Sequence, residues 1–164
     1  MSEKKRLVII GGGAAGFFSA INAAQMASDL EVIILEKTHK LLSKVRISGG
    51  GRCNVTHQCF DNKLLAANYP RGNKELLSCF HQFNAADTIE WFSQRKIKLK
   101  AESDGRMFPD TDSSETIIHC FLNEADKLGV TIKTGVALTN YSQTEDGRFI
   151  LNLSDKTTMH ATFL

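Results

Sequence analysis

The chain has 164 residues, with 20 Lys plus Arg against 18 Asp plus Glu; it is 42% hydrophobic and 23% charged. That balance describes a folded globular domain, and a net charge of +2 gives no broad basic field for nucleic acid or an anionic membrane. Four cysteines without a C-x2-C pair argue against a disulfide scaffold or a structural zinc site and point to a reducing compartment.

Lys4, Lys5 and Arg6 precede an apolar stretch from Leu7 to Ala27 that imitates a signal peptide or membrane anchor. Gly11, Gly12 and Gly13 break it, and Ser19, Asn22 and Gln25 interrupt its second half, so a cytoplasmic location is expected. Leu7 to Ile10 is instead predicted as a strand buried on both faces, Ala14 to Ser28 as an Ala-rich helix, and Val32 to Leu35 as a second strand. Strand, helix and strand form a βαβ unit with parallel strands. The stretch from Thr38 to Gly72 reads as loop-rich, followed and overlapped by helices over 61–68, 74–82 and 85–95. Lys98 to Ala101 is expected as a strand, Asp104 to Ser114 as a loop, and Ser114 to Lys127 as a helix stopped near Gly129. Val130 to Lys133 then resumes the β pattern, and 136–142, 148–153 and 158–163 read as a β-meander.

Seven of the twelve glycines fall in two clusters, 11–16 and 49–51. Gly11-Gly-Gly13-Ala-Ala-Gly16 satisfies G-x-G-x-x-G in its proper setting, directly after a strand and at the start of a helix, with the acidic Glu36 ending the second strand. Gly11 permits the tight turn, Gly13 lets a pyrophosphate approach, Gly16 allows helix–strand packing, and the helix N-terminus supplies free N–H groups. Glu36 is the expected acceptor for adenosine ribose hydroxyls and disfavours a 2′-phosphate. This motif does not separate FAD from NAD.

The second cluster, Arg46-Ile-Ser-Gly-Gly-Gly-Arg-Cys-Asn-Val-Thr56, exceeds what a simple NAD domain requires. Consecutive glycines lower the barrier to a ligand lying on the backbone, Arg52 can pair with phosphate, and Asn54 and Thr56 add polar groups. An extended dinucleotide with its redox end at this loop suits FAD better than NAD. Cys53 is a nucleophile candidate, although its spacing to Cys59 departs from the C-x4-C of flavin disulfide reductases. Cys79 and Cys120 are expected in the core, as are Ile89, Trp91 and Phe92. Among five scattered histidines only His57 lies near the loop, and it reads more readily as a polar loop residue than as an acid or base. Arg106, in Asp104-Gly-Arg-Met-Phe-Pro109, could reach a phosphate or carboxylate, or the segment could be a surface turn with Phe108 in the core. The turn from Asn68 to Gly72 is equally open.

The strings Ile10 to Gly16, Glu36-Lys37, Lys44 to Thr56 and Gly105 to Pro109 resemble those of BaiN/RdsA-like (YhiN-like) NAD(P)/FAD-dependent flavoproteins, also labelled the aminoacetone oxidase family. The resemblance covers nearly the whole chain, and Ser-Gly-Gly-Gly-Arg-Cys-Asn is its most specific part. It implies an α/β, three-layer Rossmann-like FAD/NAD(P)-binding domain with a parallel sheet, a helical insertion at about 60–97 and a β-meander at about 136–164. The implied cofactor-binding set is Gly11, Gly12, Gly13, Ala14, Ala15, Gly16, Glu36, Lys37, Lys44, Gly50, Gly51, Arg52, Cys53, Asn54 and the backbone of Val136, with no metal and no assigned catalytic acid or base. His57 departs from an Asn common in such proteins. Members are much longer, with a substrate-side domain inserted beyond the region matched here, so residues 1–164 are expected to be the N-terminal part of one incomplete FAD-binding domain.

The expected activity is hydride transfer between NAD(P)H and a small organic acceptor through flavin, with a small-molecule substrate and no nucleic-acid or membrane partner. Two other readings stay open: a flavin disulfide reductase using Cys53 and Cys59, and a truncated nucleotide-binding module without turnover.

Overall fold

The computed structural model describes residues 4–164. It divides into two compact units, one formed by the chain up to Val45 together with Phe121–Leu164, the other by Arg46–Cys120.

In the first unit, β1 (Arg6–Ile10), α1 (Ala14–Met26) and β2 (Glu31–Glu36) form the βαβ unit, with β1 and β2 parallel from Arg6 opposite Glu31 to Ile10 opposite Leu35. β6 (Thr131–Thr134) pairs in parallel with the other edge of β2, so the order is β1-β2-β6. The continuous apolar runs need cover on both faces. On one face Val8, Ile33 and Leu35 pack with Leu151, Leu153, Met159 and Ala161 of the antiparallel meander β7 (Leu138–Gln143), β8 (Phe149–Leu153) and β9 (Thr158–Ala161). The buried side of α1, Phe17, Ala20, Ile21 and Ala24, makes a helical layer with Phe121, whose ring centroid lies 6.1 Å from that of Phe17. The result is a three-layer Rossmann-like domain. Phe163 adds a parallel bridge to Leu7 beyond β9.

The second unit carries α2 (Ser43–Ile47, which starts in the first unit), a 3-10 turn over Ser48–Gly51, β3 (Thr56–His57), α3 (Asn62–Ala67), α4 (Asn73–Gln82), α5 (Ala85–Ser93), β4 (Leu99–Ala101) and β5 (Arg106–Pro109). α6 (Ser114–Lys127) starts here and ends in the first unit. Asp61 caps α3 by accepting from the Lys63 and Leu64 amides, and Asn84 with Asp87 forms a complete capping box on α5.

Two expectations fail in this unit. The segment Asp104–Ser114 is not wholly loop, because β5 is the central strand of an antiparallel sheet ordered β3-β5-β4. β4 is only three residues long, and β3 is two residues long and about fifty residues earlier in the chain, so local pattern does not reveal the sheet. Cys79 is exposed, unlike the buried Cys120, because α4 buries none of its residues in the described structure.

Candidate functional site

The first glycine loop is held from several sides. The Gly11 N–H donates to the Leu35 carbonyl at 2.8 Å, and Gly11 takes φ +108°, a conformation that glycine enters without a Cβ clash. The Gly12 N–H donates to Glu36 Oε2 at 2.8 Å, while the Gly12 carbonyl accepts from the Leu42 N–H at 2.8 Å. A Cβ at Gly12 would lie 2.6 Å from Leu41 Cδ2, and one at Gly16 would collide with the Gly11 carbonyl. Positions 12 and 16 therefore face protein. Gly11 and Gly13 face open space, since a Cβ there would meet nothing within 4 Å. α1 begins at this open side with Gly13 as its N-cap and no side chain capping it, so its first N–H groups point outward among exposed Ala14 and Ala15.

Glu36 sits beside this turn. Its Oε1 accepts from the Thr38 N–H and the Thr38 hydroxyl, each at 2.9 Å, and its Oε2 from Gly12. The Thr38 amide bond, followed by that from Gly12, holds the carboxyl below its ordinary pKa, because both donors stabilise the charged form. A carboxylate offers about four acceptor positions, and three are engaged, which leaves acceptor capacity on Oε2 for a ligand hydroxyl. The Val136 N–H donates to the Glu36 carbonyl at 3.1 Å, carrying the chain beyond β6 past the tip of β2. Ile10, Gly11, Leu35, Glu36, Lys37, Val136, Ala137 and Leu138 line a hollow of about 250 Å³. This lies at the carboxyl ends of the parallel strands, where open α/β sheets bind ligands. Of the candidates in this unit, Lys44 is an exposed residue of α2 that does not line this hollow.

The second glycine loop belongs to the other unit. Gly49, Gly50 and Gly51 all take positive φ (+57°, +70° and +88°), and Cys53 follows at +63°, uncommon for a residue with a Cβ. The loop rests on Phe108, fully buried on β5: a Cβ at Gly49 would lie 2.6 Å from its ring, while one at Gly50 would meet nothing within 4 Å. Arg52 is committed to the protein. Its guanidinium lies 4.1 Å from the Phe108 ring centre, bonds to Glu102 and approaches Asp112 to 3.7 Å, so it pins the loop to the β4–β5 hairpin. Arg106 is likewise held, by Asp104 at 2.7 Å and Glu102 at 3.3 Å, at the start of the central strand β5, whose Phe108 lies in the core.

Cys53 is buried, and desolvation pushes its thiol pKa up, opposite to the activation a nucleophilic thiolate needs. The Asn54 amide, oriented with its nitrogen toward the Thr56 and Met107 carbonyls (3.0 and 3.3 Å), ties the loop exit to β3 and β5. The four cysteines carry no disulfide, and among the described residues no His, Cys, Asp and Glu cluster could hold a metal and no helix is long and apolar enough to cross a membrane.

Several contributors escaped the sequence reading. Thr38 lies two residues after Glu36, a spacing at which a hydroxyl and its own N–H can both reach back to a carboxylate. Leu41, which closes over Gly12, and Glu102 and Asp112, which hold Arg52, have no local signal because their partners come from remote segments.

The family model for the HI0933-like protein Rossmann domain matches residues 5–164. The chain is 32% identical over 131 residues to the 3-dehydro-bile acid delta(4,6)-reductase of Clostridium scindens, covering 80% of this chain and 31% of that protein. It is 30% identical over 155 residues to the ribosomal RNA dihydrouridine synthase of Escherichia coli, covering 94% of this chain and 37% of that protein. The chain thus spans about a third of the length of these curated relatives. In fold it is similar to the 3-ketosteroid-delta4-(5alpha)-dehydrogenase of Rhodococcus jostii, with TM-score 0.67 at 12% identity over 99% of this chain and 45% of that one. It is also similar to the THI4 protein of Thermovibrio ammonificans, with TM-score 0.61 at 12% identity over 97% and 54%.

Proposed function

Because the chain belongs to the HI0933-like Rossmann-domain family, we propose that it is the nucleotide-binding part of an FAD-dependent oxidoreductase that reduces a small organic acceptor with electrons from NAD(P)H. The observation that carries this reading is the hollow of about 250 Å³ at the strand ends, where open space over Gly11 and Gly13 meets the Glu36 carboxylate. These residues fit a dinucleotide. Gly11, Gly12, Gly13, Ala14, Ala15 and Gly16 form the turn whose N–H groups and absent Cβ atoms favour a pyrophosphate, Glu36 takes a ribose hydroxyl, and Lys37 and the Val136 backbone flank the adenosine. Lys44 adds a positive charge in the same part of the chain. Gly50, Gly51, Cys53 and Asn54 are assigned to the flavin side, where the open face at Gly50 supports close approach. Arg52 acts there by fixing the loop, since its guanidinium is already paired.

FAD supplies hydride carriage when bound. The chain binds and orients it, and a carboxylate held in its charged form by Thr38 and Gly12 gives the ribose contact a fixed acceptor. Two relatives are named for reduction products or steps, one on a bile acid and one on ribosomal RNA. The acceptor is therefore proposed as a small organic ring without restricting it to a free molecule, although net charge alone argued against a nucleic-acid partner. The dithiol alternative is disfavoured by the buried, raised-pKa Cys53.

The test is the visible spectrum of the purified chain after desalting, with and without added FAD, followed by titration of the Glu36→Ala variant. Flavin absorbance that stays with the chain, and a loss of affinity of about tenfold or more in the variant, is expected. Absence of flavin under both conditions, or equal affinity in Glu36→Ala, overturns the reading.

A further inference from the structure

A second hollow, of about 310 Å³, lies wholly within the first unit, at the starts of the parallel strands. Arg6 and Glu31, the first residues of β1 and β2, line it, whereas Glu36 and its hollow lie at the other end of β2, about 17 Å away along the strand. The two hollows share no lining residue among those described. The frame of the second is fixed by backbone pairing on both sides. The Lys5 carbonyl accepts from the Glu31 N–H at 2.9 Å, and the Arg6 carbonyl accepts from the Thr162 and Phe163 N–H groups at 2.8 and 3.0 Å.

The lining is cationic. Among the described residues it holds Lys4, Lys5, Arg6 and Arg148 against one carboxylate, Glu31, while Asp146 pairs with Arg148 at 2.6 Å. Four cations against two carboxylates leave an excess of two, which equals the +2 of the whole chain, so the remaining residues sum to zero. A basic excess confined to one hollow fits a compact ligand better than an extended polymer. Arg6 is already oriented, since Nε donates to Glu31 at 2.8 Å and Nη1 to the His160 carbonyl at 2.9 Å, and its guanidinium keeps further N–H donors. The Thr162 hydroxyl accepts from the Arg6 N–H at 3.1 Å and keeps its proton to donate. Lys4 and Lys5 hold no ion pair among the described residues. The groups left for a ligand are thus chiefly cations and donors, the pattern that recognises an oxyanion. A single exposed ion pair contributes little, so affinity requires several of these cations to act on one ligand, which selects a multivalent anion.

From the cationic lining, the oriented Arg6 and the small volume, we infer that this hollow binds a small multivalent oxyanion of the diphosphate type. Binding here needs neither flavin nor the residues assigned to it.

The probe is inorganic pyrophosphate, titrated into the isotopically labelled chain while amide resonances are followed by NMR. Saturable shifts at Arg6, Glu31, Arg148, Ala161 and Thr162 are expected. Pyrophosphate can also meet the first glycine loop, where shifts at Gly11 to Gly16 form a separate set. The double variant Lys4→Gln/Lys5→Gln, at two exposed positions, should weaken the first set about three- to tenfold and leave the second within about twofold. Acetate should bind at the first set at least about tenfold more weakly than pyrophosphate, and about 0.5 M NaCl should weaken pyrophosphate there at least threefold. Shifts absent at millimolar pyrophosphate, shifts at Gly11 to Gly16 alone, equal binding of acetate, or unchanged affinity in the double variant overturns the inference. So does tighter binding of an oligouridylate at the same residues, which would make them a nucleic-acid surface. Glu36→Ala separates the two proposals, since it should lose FAD and keep the first set within about twofold.

Discussion

The two glycine loops solve the same steric problem by different means. In the loop at 11–16, local hydrogen bonds set the turn: Leu35, Glu36 and Leu42 hold Gly11 and Gly12, and the helix starts within two residues. In the loop at 48–53, three successive left-handed glycines are carried on Phe108 and anchored through Arg52 to Glu102 and Asp112, about fifty residues away. The first loop is thus a property of its own strand–turn–helix, while the second depends on a sheet that must form elsewhere in the chain. Each loop has closed glycines, Gly12 and Gly16 or Gly49, and open ones, Gly11 and Gly13 or Gly50. Only the open positions leave room for a ligand to lie against the glycine Cα, while the closed ones shape the turn.

The largest expected effect comes from closing the first loop. Gly16→Val drives side-chain atoms into the Gly11 carbonyl and should cost about 3 kcal/mol, a fall in Tm of roughly 6–12 °C by calorimetry. A change under 2 °C would show that α1 shifts without cost. In the second loop, Gly49→Ala combines a left-handed φ with a Cβ against Phe108 and should cost about 1–3 kcal/mol, whereas Gly50→Ala meets only the backbone penalty of about 1 kcal/mol. Equal losses at the two positions would contradict the assignment of Gly49 to packing and Gly50 to an open face. Arg52→Ala should raise amide hydrogen exchange at Gly50 and Gly51 with little change at Gly11 and Gly13, and Arg52→Lys should restore only part of the protection because the flat stack on Phe108 is lost. Uniform exchange changes in both loops would contradict separate anchoring.

Two smaller effects concern ionisation. The Glu36 carboxyl is held below its ordinary pKa, so its stabilising contribution is present above about pH 4.3 and is lost as pH falls through the lower folded value. The Tm advantage of the wild type over Glu36→Gln should therefore close in acid, and a gap that persists unchanged to about pH 2 would refute this assignment. Alkylation by iodoacetamide at pH 8 should reach exposed Cys79 and half-exposed Cys59 before buried Cys53 and Cys120. Early loss of Cys53 would revive the dithiol reading, which also predicts charge-transfer absorbance that disappears in Cys59→Ser.

The βαβ unit, the helix from Ser114 and the meander were legible because each has a continuous apolar run or a clear period bounded by Gly or turn residues. Two residues of the first hollow, Gly11 and Glu36, are brought together by the β1–β2 pairing that the pattern already implies, whereas Val136 was expected only from the family resemblance and reaches the hollow through the pairing of β2 with β6. The sheet β3-β5-β4 was not legible, and with it went the true situation of Arg52, read as a phosphate ligand from its loop alone. The amphipathic look of α4 likewise suggested a buried Cys79, although whether a face is covered depends on neighbours that the pattern does not contain.

By itself, then, the sequence determined the βαβ unit, the helix from Ser114, the meander, the first turn and the residue types at both loops, because local sterics and short-range hydrogen bonding decide these. Only the tertiary structure decided which glycines face protein and which face open space, which arginine is already neutralised, and where four cations gather around a second hollow. Those outcomes follow from contacts between segments far apart in the chain, whose free energies no local window can sum.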